Sequence, residues 1–149
     1  MNVEKERLER EAFTLAVLSA ANGESHQPAH VQKLFFLIDR VISDRLGGPY
    51  FNFQPYDYGP FDKAVYETLD LLESQGDVEI SRSDMPSRRL YRLTRCGQEK
   101  GEKNLDSLDP EAQKYIKEAS SLVRELSFAN LVSAIYKAYP EMKENSVFS

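Results

Sequence analysis

Between residues 4 and 21 the positions Leu8, Ala12, Leu15, Ala16 and Ser19 recur at three- and four-residue intervals. That is the spacing of an amphipathic helix. Asn22-Gly23 supplies its stop signal. Pro28 suits the first turn of a second helix, along which Val31, Leu34, Phe35, Ile38, Val41 and Ile42 form a stripe that ends at Gly47-Gly48. Phe36 and Leu37 lie off that stripe. The second helix is thus apolar over most of its girth and belongs at the centre of the fold or beneath a partner. Residues 49–60 are aromatic and turn-rich, and read as a connector with Phe51, Phe53 and Tyr56 in a short strand ahead of a Tyr58-Gly59-Pro60 turn. A third helix is predicted over 61–75, with Phe61, Val65, Thr68, Leu69 and Leu72 on one face and Gly76 at its C-terminal end.

Alternation then replaces the helical period. Val78 and Ile80 alternate with polar residues, Asp84-Met85-Pro86-Ser87 has turn chemistry, and Leu90 to Leu93 reads as a returning strand, so a β-hairpin is predicted. Residues 94–105 form a weak helix in this reading, because Gly97 and Gly101 each cost ~1 kcal/mol relative to Ala in a helix interior. Asp109-Pro110-Glu111 opens a further helix with a capping residue, a first-turn proline and an acid at the positive end of the dipole. Its stripe is Ala112, Tyr115, Ile116, Ala119, Leu122, Val123 and Leu126. Ser127 caps a last helix through Phe128, Leu131, Val132, Ile135 and Tyr139, which Pro140 ends. The expected fold is mainly α within the α+β class. It has a winged-helix-like three-helix core with a hairpin wing over residues 1–107, and a C-terminal helical pair over 108–149 packed on it as one compact unit.

Charge changes this picture at one place. The 149 residues carry 19 Lys+Arg against 24 Asp+Glu, a formal net charge of −5. Yet residues 81–95 hold five arginines, Arg82, Arg88, Arg89, Arg92 and Arg95, against Asp84 alone. Such a wing could grip phosphates. The third helix, with Asp62, Glu67, Asp70 and Glu73 against Lys63, would instead face groove phosphates with acids. The same arginines could equally be the solvated face of an edge hairpin or a contact for an acidic protein. Lys33 reads most simply as a snorkelling surface side chain, or more sharply as a partner of Asp57.

Catalytic and metal chemistry find little support. The longest apolar run, Leu34 to Ile38, is far short of a spanning helix, and a charged N-terminus with a lone Cys96 points to a reducing cytoplasm. His26 and His30 are four apart, but Pro28 lies between them and no further ligand is near in sequence, so no metal and no cofactor is expected. Cys96 is expected to be a small semi-buried side chain.

Gln32-Lys33-Leu34-Phe35-Phe36-Leu37-Ile38-Asp39, then Phe53-Gln54-Pro55-Tyr56-Asp57-Tyr58-Gly59-Pro60-Phe61, then Val65-Tyr66 and Leu69 resemble the SocA-like antitoxin domain, also called Panacea. The turn, together with the Leu93-Thr94-Arg95-Cys96-Gly97 strand exit, is also similar to that of small bacterial proteins resembling YwgA. The resemblance covers roughly residues 28–97. It implies a cytoplasmic bacterial or phage-associated protein without catalysis that binds another macromolecule, such as a toxin. Tyr56, Tyr58, Phe61 and Tyr66 are then the candidate protein-binding residues, together with surplus apolar surface on the second or last helix. The alternative is a dimeric DNA-binding regulator using Arg82, Arg88, Arg89, Arg92 and Arg95, with a homodimer formed through the C-terminal helices.

Overall fold

A computed structural model describes residues 3–85 and 88–147, so the Pro86-Ser87 part of the predicted turn lies outside the described residues. The chain is mainly helical with two small antiparallel sheets of two strands each. Helices α1 (Val3–Ser19) and α2 (Pro28–Leu46) come first, followed by the hairpin β1 (Gln54–Tyr56) and β2 (Gly59–Phe61). Helix α3 (Lys63–Ser74) leads into a second hairpin, β3 (Val78–Ser81) and β4 (Leu90–Leu93). Helices α4 (Arg95–Asp106), α5 (Pro110–Glu125) and α6 (Phe128–Ala138) complete the fold, and a 3-10 turn, Pro140–Lys143, follows them.

Helix α2 is the axis of the molecule, since Val31, Leu34, Phe35, Phe36 and Ile38 are all buried and α5, α6 and β2 pack around it. Its extra apolar girth is therefore covered by its own chain. The stripes of α5 and α6, Ala112, Ile116, Val123, Leu131, Val132 and Ile135, are spent on the same core. Of the apolar surface expected on the second helix and the C-terminal pair, most is spent on this core, and Val41 and Leu122 stay exposed. Phe51 packs with Phe13 and Phe35, and Phe53 with Phe36, so the aromatic connector contributes to the core.

Two expectations along the chain change. Residues 54–61 form a hairpin with Gln54 opposite Phe61 and Tyr56 opposite Gly59, and Pro60 lies in its second strand. Helix α3 consequently starts at Lys63, with the Asp62 carboxylate accepting from the Ala64 amide at 2.9 Å. The glycines of α4 are not breaks. A Cβ on Gly97 would lie 2.0 Å from the Asp77 carbonyl oxygen, and one on Gly101 would lie 2.2 Å from that of Leu15. They let α4 press backbone to backbone against α1 and the entry to β3. The helix propensity lost at each glycine is exchanged for close packing.

His26, between α1 and α2, exchanges two 2.9 Å backbone hydrogen bonds with Tyr91 in β4. The second hairpin thereby gains a pairing beyond its own two strands. Its alternation is clean, with Val78, Ile80, Tyr91 and Leu93 inward and Glu79, Ser81, Leu90 and Arg92 outward.

Candidate functional site

Two surfaces carry the residues singled out by sequence, one on each hairpin. On the first, Tyr56 is 55% exposed and Tyr58 46% exposed, while Phe61 and Tyr66 are half-buried. Tyr56 stacks on Phe61 with centroids 5.1 Å apart, Phe61 meets Tyr66 edge-on at 5.8 Å, and Tyr66 stacks on buried Tyr91 at 6.1 Å. The four rings form a ladder from the hairpin surface into the core. Tyr58 turns the other way, meeting Phe128 at the start of α6 at 5.3 Å. The predicted aromatic residues are thus one connected set, with Tyr58 on the adjoining face. Burial, with the nearby Tyr91, pushes the Tyr66 phenol up to about 12, so it remains neutral across the working pH range.

The hairpin is held at three points. Gln32, fully buried in α2, donates to the Asp62 carbonyl and accepts from the Asp62 amide, both at 3.0 Å. Asp62 also accepts from the Asn52 amide at 2.7 Å. From the C-terminal end, Asn145 donates to the Pro55 carbonyl at 3.3 Å and the Val147 amide to that of Asp57 at 2.9 Å. Gly59 takes φ +103, a conformation that side-chain-bearing residues avoid, and its missing Cβ would face Tyr136 at 3.4 Å and the Lys33 stem at 3.7 Å. A rigid support beneath exposed aromatic rings is an arrangement suited to recognition, because little conformational freedom remains to be lost on binding.

Lys33 is 4% exposed under that turn, not a snorkelling surface residue. Among the described residues no carboxylate, Asp57 included, lies within ion-pairing distance of it. Burial pulls its pKa down to about 8.

On the second hairpin most of the arginine charge is already engaged. Arg82 forks onto Glu73 of α3 at 2.7 and 2.9 Å, and Arg92 pairs with Glu79 across the strands. Arg89 lies against the Tyr91 hydroxyl, with its Nε buried and lacking a protein acceptor. Arg95 is the first residue of α4, not part of the hairpin, and approaches Glu99 at 3.7 Å. Arg88 is exposed and makes no ion pair among the described residues. The excess of arginine in the sequence segment does not become an excess of free positive charge, since Glu73 and Glu79 lie outside residues 81–95.

Cys96 is exposed rather than semi-buried. Among the described residues no helix is long and apolar enough to cross a membrane. No protein-family model matches the chain, and no curated protein matches it.

Sequence reasoning missed Gln32 and Asp62 as the lock of the first hairpin. Asp62 two residues before Ala64 is a capping signal that could have placed the start of α3. The neighbourhood of His26 and His30 was also missed, because Arg124 and Ser127 reach it from nearly a hundred residues away.

Proposed function

We propose that this chain is a non-enzymatic protein-binding module, an antitoxin-like or adaptor-like protein whose contact surface is the aromatic first hairpin. The observation that carries this reading is the pairing of half-exposed Tyr56 and Tyr58 with a hairpin tied down by Gln32, Asp62 and the C-terminal residues. Tyrosines on a rigid support bury large area at low entropic cost and are enriched among energetically dominant interface residues. The likeness of the Tyr58-Gly59-Pro60 turn to the SocA-like domain agrees with it.

The test is quantitative capture from lysate of the source cells, with wild type and Tyr58→Ala as parallel baits. The reading expects a stoichiometric protein partner whose recovery falls by at least about tenfold with Tyr58→Ala while circular dichroism stays unchanged. Equal recovery by both baits removes the turn from the interface.

A second reading, a DNA-binding regulator, draws on the helix order ahead of the second hairpin and on exposed Arg88. It expects salt-sensitive binding to random-sequence duplex DNA, with a salt slope that falls by about one unit in Arg88→Ala. The engagement of Arg82 and Arg92 by glutamates favours the first reading.

A further inference from the structure

A cavity of about 560 Å³ opens where the start of α2 meets the corner between α5 and α6. Its walls include Ser25, His26, His30, Ser121, Arg124 and Ser127. His26 is 3% exposed, and neither of its ring nitrogens has a hydrogen-bond partner within the protein. His30 places Nε2 3.1 Å from the Leu126 carbonyl, which makes that nitrogen the donor and leaves a buried Nδ1 without a partner. Buried ring nitrogens without partners are costly and uncommon, so three of them at one cavity call for an explanation.

The surrounding dipoles and hydrogen-bond donors indicate the chemistry of the missing partner. Arg124 borders the cavity, with Nη1 bonded to Ser120 at 2.8 Å. Helix α2 begins here with Gln27 as an N-cap that makes no side-chain cap, and α6 begins here at Ser127. The starts of α2 and α6, an arginine and serine hydroxyls suit an oxyanion, and at the C-terminal end of α5, which also lies here, the Leu126 carbonyl is met by His30. A metal ion would meet Arg124, and no cluster of three or more His, Cys, Asp or Glu suited to a metal forms among the described residues. Glu24 and Glu125 also line the cavity and are exposed, as Arg124 is, so solvent screens all three charges and the buried ring nitrogens are the groups it does not reach. We infer that this cavity binds a phosphate monoester, with its oxygens held by Arg124, the N–H of the His26 ring and the start of α2, and with a P–OH donating to His30 Nδ1, the acceptor nitrogen of that ring. Phosphate fits better than a carboxylate because its three terminal oxygens can meet several donors while one of them, protonated, serves the acceptor nitrogen of His30.

The test follows the histidine side chains of the full chain by NMR as inorganic phosphate is added at constant ionic strength, with sodium acetate and sodium chloride as separate arms. Saturable shifts of both His26 and His30 with phosphate, weakened about tenfold or more in Arg124→Gln, are expected. Glu125→Gln should tighten binding. Arg124 is exposed, so its variant should fold, and His26→Gln provides a second check. Shifts that do not saturate, that chloride or acetate reproduces equally, or that survive Arg124→Gln unchanged would overturn the inference.

Discussion

The two hairpins are built alike and present different surfaces. Each is a two-stranded antiparallel unit flanking α3, too small to be stable alone. The first directs Tyr56 and Tyr58 outward and has no arginine, whereas the second directs Glu79 and Arg92 outward as a cross-strand pair. A charged side chain on a strand readily finds its opposite across the register, and what remains for a partner is small. A half-exposed ring on a locked turn still has apolar area to bury. The contrast is the ground on which the first hairpin, rather than the arginine-rich second, is proposed as the interaction face.

The comparison can be sharpened through the buried base beside each hairpin. Under the first, Lys33 has a folded pKa of about 8 against 10.5 unfolded, so its charged form destabilises the fold below pH 8 and the cost fades as pH rises toward 10.5. Lys33→Met should therefore gain about 3 kcal/mol at pH 7 and much less at pH 10, read by urea denaturation at both values. Beside the second, His26 is held down to about 4 by burial, then by Arg124 and His30. The unfolded chain takes up that proton first as pH falls below 6.5, and up to about 3 kcal/mol should be lost between pH 6.5 and 4. His26→Leu should flatten that acid limb, and an unchanged slope would place the sensitivity elsewhere.

Smaller effects separate the anchoring from the display. Asp62→Ala removes the α3 cap and the Asn52 bond, and should cost about 1 to 2 kcal/mol in thermal or urea denaturation. Arg92→Ala loses only an exposed pair, and its denaturation midpoint should match wild type within error. A large loss in Arg92→Ala would mean that the second hairpin depends on its charges and would erase the contrast.

The helices were largely legible because their apolar periodicity is local. Helix α4 looked weak because Gly97 and Gly101 signal a break locally, and only the approach of Asp77 and Leu15 backbone gives them another role. Pro60 reads as the end of a turn with a helix starting at 61, yet pairing of Tyr56 with Gly59 draws Pro60 into a strand and passes the helix cap to Asp62. The arginines of residues 81–95 were visible as a cluster, but Glu73 sits on a helix and Glu79 across a register, and neither relation can be read from sequence spacing. Burial of Lys33 and His26 depends on α6 and α5, which follow them by about a hundred residues. Tyr56 and Tyr58 were legible because a turn rich in aromatics and bounded by Gly and Pro has few ways to bury every ring.

The most direct measurement is photo-crosslinking in the source cells, with p-benzoylphenylalanine placed in turn at position 58 and at position 88. The account predicts a discrete protein adduct from position 58 and none from position 88. Adducts, to protein or to DNA, from position 88 alone would contradict it and move the interaction face to the second hairpin.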